Sequence, residues 1–219
     1  MSQEDWLAKA PSSMSLINAA GIPLVALTAW QALARATPKA QQRILILGAS
    51  GGVGQFAVQL AKRVHHLHVV AVCSASNAEF VKSLGADEVF TYDTQGGAQG
   101  LATLGATFDA VFDVIGGDML AVSAGKCLKP GGCVTHIMNR GTDAAANKEY
   151  EAKAAAGTGP AFHTTLVTPN GGELARISTL IDEKVLSMNV AKVMPLEDAG
   201  AANELVMTGH AGGKVVLKM

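Results

Sequence analysis

The chemistry that is clearest in the chain sits in one glycine-rich run, Gly48-Ala-Ser-Gly51-Gly52-Val-Gly54. It follows Arg43-Ile-Leu-Ile-Leu47, a β-branched and leucine stretch that reads as a strand buried on both faces. It opens Val53 to Arg63, where Val53, Phe56, Ala57, Leu60 and Ala61 recur at helical spacing. A strand, a glycine turn and a helix in that order are what a dinucleotide's diphosphate requires. Gly48 permits the tight turn, Gly51 lets the backbone come close to a pyrophosphate, and Gly54 lets the helix lie against the strand. The free N–H groups and the positive helix end then face the phosphates. A plain glycine turn between strand and helix is the alternative reading.

The end of the second strand bears on the kind of dinucleotide. NAD sites often carry Asp or Glu there, to hold the ribose hydroxyls. Here the residues are Cys73-Ser-Ala-Ser-Asn77, with no carboxylate before Glu79. That removes repulsion against a 2′-phosphate, and Ser74, Ser76 and Asn77 offer it hydrogen bonds. No Arg or Lys lies in the turn, although Lys82 is one helical turn on. NADP(H) is preferred, with NAD(H) as the other option.

Other reactive side chains read as structural. His65, His66 and His68 lack the i, i+4 spacing of a metal pair and read as exposed helix-end histidines. Cys127 and Cys133 flank Pro130-Gly131-Gly132 without a CxxC and read as small buried residues. Asp109 and Asp113 bracket a buried strand, and Asp113 at its C-terminal end falls on the ligand side, where a structural hydrogen bond is the simpler role. Met119, Met138, Met188, Met194 and Met207 read as core fillers. No metal site is expected, and no catalytic residue is identified.

The elements that must position these residues alternate. Strands are predicted at 43–47, 68–73, 88–91, 108–113 and 133–136, with helices over 53–63, 78–84 and 119–127 and a turn at Lys129-Pro-Gly-Gly132. This βαβ repetition predicts an α/β fold, a doubly wound parallel sheet of the Rossmann type. Beyond it, an exposed helix is predicted over 144–156 with Glu149 and Lys153 at i, i+4, a short strand at Leu166-Val167, a helix over 172–183, a strand at 190–193, a helix over 197–207 and a strand over 214–218.

Composition narrows the function class. The 219 residues are 49% hydrophobic and 16% charged, against a usual charged share of roughly 25%. Seventeen basic and eighteen acidic residues leave a net charge of −1, which excludes nucleic acid as a first partner. Three cysteines without CxxC favour a reducing compartment over a disulfide framework. The uncharged run Ala10–Ala34 is broken by Pro11, Asn18, Gly21, Pro23 and Gln31, so it reads as a buried helix near a domain junction rather than a membrane span. The start, Met-Ser-Gln-Glu-Asp-Trp, is acidic where a targeting leader would be basic.

Longer stretches carry a resemblance. Ala20 to Leu33, Ile44 to Lys62, Phe80 to Val89 and Gly209 to Leu217 are similar to the cofactor half of the medium-chain dehydrogenase/reductase superfamily, zinc-free quinone oxidoreductase branch, and 73–89 resembles its plant and algal organellar members. The resemblance implies that Gly48, Ser50, Gly51, Gly52, Val53 and Gly54 hold the pyrophosphate. It implies that Ser74, Ser76, Asn77 and Tyr92 lie at the adenine ribose, and that Ile115, Gly116, His136, Ile137 and Met138 line the nicotinamide side.

It further implies that an N-terminal GroES-like catalytic domain is largely absent from this sequence. Residues 1–35 would be a remnant of that domain and a junction helix, 36–185 the dinucleotide-binding domain, and 186–219 a segment returning to the substrate domain. The implied function is the nucleotide-binding portion of an NADPH-dependent, zinc-independent oxidoreductase that reduces quinones or α,β-unsaturated carbonyls by hydride transfer. This portion alone would lack a complete active site. The alternative is a non-catalytic accessory or scaffold subunit that keeps the fold. Partners would be the small-molecule substrate and a second copy of the chain or a larger assembly. The location would be intracellular: a chloroplast or mitochondrion by resemblance, otherwise the cytoplasm.

Overall fold

A computed structural model describes residues 3–137, 144–209 and 211–219. In chain order the elements are α1 (Leu16–Ala19), α2 (Ile22–Arg35), β1 (Arg43–Leu47), α3 (Gly52–Gln59), β2 (His68–Cys73), α4 (Ala78–Ser83), β3 (Glu88–Thr91), α5 (Gly97–Leu101), β4 (Phe108–Asp113), α6 (Gly117–Val122), β5 (Leu128–Ile137), α7 (Ala144–Ala155), β6 (Ala161–Thr165), α8 (Gly171–Asp182), β7 (Val190–Pro195), α9 (Ala199–Met207) and β8 (Lys214–Lys218). Six strands form one parallel sheet in the order β3-β2-β1-β4-β5-β6, and β7 pairs with β8 in a separate parallel pair. The expected doubly wound sheet is therefore present. Its strand order reverses at β1 and β4, where such folds leave a crevice at the carboxyl ends of the strands.

Alternation explains why the sheet carries helices on both faces. Ile44 and Ile46 of β1 and Val69 and Ala71 of β2 enter one core with residues of α2, α3, α4 and α8. Leu45, Leu47, Val70 and Val72 enter the opposite core, with residues of α5, α6 and α7. Each of the Val, Leu and Ile side chains, buried fully, stabilises by roughly 1.5–3 kcal/mol relative to exposure, more for the larger ones. The uncharged run near the N-terminus is the buried helix that its sequence suggested. Ile22, Val25, Ala26, Ala29, Ala32 and Leu33 of α2 are buried. Its Gln31 side chain clips the backbone of Thr168 with a donated and an accepted hydrogen bond, both 2.9 Å. Among the described residues no helix is long and apolar enough to cross a membrane.

Four expectations need correction. The predicted turn at Lys129–Gly132 lies inside β5: pairing with β4 jumps from Phe108↔Leu128 to Ala110↔Cys133, so the residues between form a bulge rather than ending the strand. The sixth strand is Ala161–Thr165, ahead of the predicted Leu166-Val167, and Leu166 is 63% exposed. The predicted helices 53–63 and 119–127 are regular only as α3 and α6 and end in single π turns, at Leu60–Val64 and Ser123–Cys127. Met207, read as a core filler, is 80% exposed.

The C-terminal pair of strands is tied to the large sheet by two buried glutamines of α3. Gln55 Oε1 accepts the Asn189 N–H at 2.8 Å. Gln59 Oε1 accepts the Ser187 N–H at 2.8 Å, and Gln59 Nε2 donates to the Ser187 carbonyl at 2.9 Å. These side chains act as a short surrogate strand. Without them the Ser187 and Asn189 backbone would lose these partners, and unmet buried polar groups cost more than made ones gain.

Candidate functional site

Because all six strands of the large sheet run the same way, the ends of β1, β2, β3, β4 and β5 gather on one edge. The residues singled out from the sequence lie along it in three groups.

The first group is the glycine turn. Gly48 sits at φ +73°, and a Cβ there would lie 2.5 Å from Val114 Cγ2 and 2.8 Å from Ile115 Cδ1. Its glycine identity thus serves both the turn and the close packing of the loop after β4. A Cβ on Gly54 would overlap the Gly48 carbonyl oxygen and come 2.7 Å from Ala49 Cα, so α3 meets β1 only through glycine. Helix α3 opens at Gly51 with no side-chain cap. Its first amide with an acceptor is Gln55 N–H, on the Gly51 carbonyl at 2.9 Å. The amides of Gly52, Val53 and Gly54 have no acceptor among the described residues. Gly51 is exposed, and the only atom near a Cβ placed there is the Gly48 oxygen at 3.4 Å, so no side chain lies against Gly51 itself. Uncapped amides at a positive helix end fit an anionic diphosphate.

The second group lies after β2. Ser74 Oγ is its hub: it accepts from Asn77 Nδ2 at 2.8 Å and shares a hydrogen bond of 3.0 Å with Ser76 Oγ. Tyr92 stands beside it, 39% exposed, its N–H on the Cys73 carbonyl at 3.1 Å. The fold also brings in a carboxylate that a linear reading of this turn does not contain. Asp93, beyond β3, accepts the Ala75 N–H at 2.9 Å. Burial first and Asp93 second push the Cys73 thiol up to about 11, and burial raises Cys127 and Cys133 as well. No thiolate nucleophile is prepared here.

The third group follows β4 and β5. Ile115 is 46% exposed and Gly116 lies at φ +79°. Asp113 is fully buried and holds both of their amides, with Ile115 N–H 3.0 Å and Gly116 N–H 3.1 Å from Oδ1. The His136 ring is also fully buried, its Nδ1 2.6 Å from Asp113 Oδ2, so the ring itself lies beneath the cleft wall. Ile137 is half-buried at the end of β5. Met138 lies outside the described residues.

One residue at this edge was missed. The stem of Lys214, at the start of β8, passes over the opening of α3, its Cε 3.3 Å from where a Gly52 Cβ would be. Burial pushes its ammonium below the usual lysine value. Its side chain has no ion-pair partner among the described residues. A cation at a helix start opposes the helix dipole, and an anion between the two would relieve that repulsion. The single sequence signal was a lysine directly after Gly212-Gly213, far from the glycine turn in the chain.

The remaining candidates are placed elsewhere. His68 pairs with Glu88 at 2.7 Å, and no group of three or more His, Cys, Asp or Glu that could hold a metal exists among the described residues. Asp109 accepts from Lys129 Nζ and from the Arg43 N–H, a tie across the opposite edge of the sheet. A cavity of about 240 Å³, lined by Pro11, Leu16, Ala19, Ile22 and Leu174 among others, lies apart from the site, where the N-terminal segment meets α2 and α8.

Similarity to known proteins agrees with this geometry. Residues 84–217 match the zinc-binding dehydrogenase family. The chain is 33% identical over 222 residues to the chloroplast envelope quinone oxidoreductase homolog of Arabidopsis thaliana, covering 98% of this chain and 66% of the relative. It is 34% identical over 218 residues to the chloroplastic NADPH-dependent alkenal/one oxidoreductase of the same plant, covering 98% and 50%. Other relatives carry mitochondrial names. The structure of the quinone oxidoreductase from Coxiella burnetii superposes with a TM-score of 0.84 at 32% identity, over 95% of this chain and 62% of that one. The chain thus spans between half and two thirds of the length of these proteins.

Proposed function

We propose, from the premise that this chain belongs to the zinc-binding dehydrogenase family within the medium-chain dehydrogenase/reductase superfamily, that it is the cofactor-binding portion of an NADPH-dependent oxidoreductase. The observation that carries this reading is the uncapped start of α3 at an exposed glycine turn, closed on one side by Lys214. The amides of Gly52, Val53 and Gly54, with Ser50 beside them, would take the diphosphate, and Lys214 would offset its charge. Ser74, Ser76, Asn77 and Tyr92 would meet the adenine ribose. Ile115 and Gly116, with the backbone at His136 and Ile137, would form the wall against the nicotinamide.

When bound, a nicotinamide would supply hydride chemistry, and this chain's residues would orient it and keep water from one side of it. Quinones or α,β-unsaturated carbonyls are the proposed acceptors, after the names of the relatives, and transfer is read as independent of zinc. NADH is the second choice of cofactor; Asp93 at the ribose turn is the feature that favours it. The same reading treats 36–185 as the dinucleotide-binding unit, 1–35 as a junction, and 186–219 as a segment returning toward the substrate side. A chloroplast or mitochondrion is the proposed location, after the names of the relatives, with the cytoplasm as the alternative.

Titration of the purified chain with NADPH and NADH, followed by nucleotide fluorescence, tests the proposal. Micromolar-range NADPH binding is expected, abolished by Gly51→Asp, which puts a carboxylate where the phosphates would lie. Lys214→Met should weaken NADPH by about 10-fold, the loss of one charge-assisted contact, with little change in thermal stability. Binding of neither nucleotide would favour the non-catalytic scaffold.

A further inference from the structure

Two fully buried ionisable groups stand where the cleft wall is made, and no step of hydride transfer needs them. Asp113 ends β4 and His136 lies directly opposite in β5. Neither side chain has any exposed surface. A carboxylate in that position must have its oxygens filled. Asp113 Oδ1 accepts the Ile115 N–H at 3.0 Å and the Gly116 N–H at 3.1 Å, Oδ2 also accepts the Gly116 N–H at 3.1 Å, and His136 Nδ1 approaches Oδ2 at 2.6 Å. With the carboxylate ionised, Nδ1 is the nitrogen that carries the hydrogen.

The ring neighbours Phe162, with centroids 6.2 Å apart, and Phe162 is itself stacked on Tyr150 at 5.2 Å. The carboxylate's other partners are the backbone of the loop that covers the glycine turn. In that loop Val114 and Ile115 fill the space that a side chain on Gly48 would take. Although it packs against Gly48, Ile115 is left 46% exposed, an apolar side chain partly open over the turn.

We propose that His136 is a positioning residue: through Asp113 it locks the Val114–Gly116 loop over the diphosphate turn and so fixes the nicotinamide wall of the cleft. The chain of contacts runs from the imidazole to the carboxylate, from the carboxylate to two loop amides, and from the loop to Gly48. Removing the Nδ1–H leaves a buried carboxylate one donor short, and the loop is the part free to shift toward water. The proposal rests on the reading of this edge as a dinucleotide site, but the locking of the loop can be measured without any ligand.

Two substitutions separate the hydrogen bond from simple filling of space. His136→Leu removes the donor. His136→Asn returns an amide N–H near the Nδ1 position. In His136→Leu the amides of Ile115 and Gly116 should exchange hydrogen about 10-fold faster and the NADPH dissociation constant should rise about 10-fold, while His136→Asn stays within about 3-fold on both. Unchanged exchange and affinity in His136→Leu would overturn the proposal, as would a His136→Asn variant as impaired as the leucine one. If His136→Leu does not fold, Asp113→Asn takes its place: faster exchange at the two loop amides supports the lock, and unchanged exchange overturns it. Absence of NADPH binding by the unaltered chain would count against the cofactor reading alone, and the exchange measurement would still decide the role of His136.

Discussion

The six-stranded sheet and the β7–β8 pair are both parallel, yet they are built on opposite terms. In β1, β2 and β4 nearly every residue is buried, because helices lie on both faces. In β7 only Met194 is buried and in β8 only Val216. Around them Val193, Leu196, Val206, Met207 and Leu217 are between 40% and 80% exposed. A two-stranded sheet with one poorly covered face is not stable by itself in water. What fixes it here is a polar clasp, Gln55 and Gln59 of α3 on the backbone of 187–189, extended by Asn189, whose carbonyl accepts the Lys214 N–H at 3.3 Å. The lesson is that Lys214 reaches the glycine turn by polar attachment of a small unit, whereas the turn itself is held by apolar burial.

The sharpest way to break that contrast is to cut one apolar residue from each unit. Phe112 is fully buried in the first core, and Phe112→Ala should cost about 3–5 kcal/mol. Val216→Ala, at the buried position of β8, should cost roughly 1.5 kcal/mol or less, about two methylene equivalents. Denaturant unfolding of both variants measures the difference. Equal losses would mean that the small pair is as much a core element as the large sheet.

A smaller effect should come from the clasp. Gln59→Ala leaves the Ser187 N–H, its carbonyl and its hydroxyl without the partners now at 2.8, 2.9 and 3.0 Å. The expected cost is about 1–3 kcal/mol, localised to the C-terminal unit. Amide exchange should quicken at Ser187, Asn189, β7 and β8 while β1 stays protected. Uniform quickening across β1 as well would show that the two units open together and that the polar clasp is not a separate joint.

The same contrast explains what was legible in the sequence. In β1, β2, β3 and β4 short β-branched runs bounded by glycine or polar residues announced their own ends, and all four were placed to the residue. Gly48 and Gly54 were readable because each is forced by local packing within one strand–turn–helix unit. The errors fall where distant residues decide. Lys129–Gly132 has turn composition, yet pairing with β4 carries β5 past it as a bulge. The short helix Gly97–Leu101 was not foreseen, since two glycines weaken its local signal and the burial of Leu101 in the second core makes it. Met207 has helical spacing but no partner surface. Asp93, Lys214 and the Asp113–His136 pair join the site only through tertiary approach, which no linear spacing encodes.

The smallest effect distinguishes a buried polar tie from an exposed one. Asp182, at the end of α8, fastens the N-terminal segment: Oδ1 accepts the Ser13 N–H at 2.8 Å, and Oδ2 accepts the Ser12 N–H at 3.1 Å and the Ser12 hydroxyl at 3.0 Å. The backbone N–H groups of Ser12 and Ser13 hold its carboxyl down to about 2, below the ordinary 3.8. A lowered value means that the folded state favours the charged form. The contribution is therefore fully present above the ordinary carboxyl value and is lost as pH falls through about 2. Unlike Gln59, this group is open to water, so its loss should free the segment without loosening β1 or the C-terminal unit. The Ser13 amide resonance, followed from pH 6 downward, should move with a midpoint near 2 and become flat in Asp182→Asn. A midpoint near 3.8 would show that the carboxylate does not hold the segment in solution.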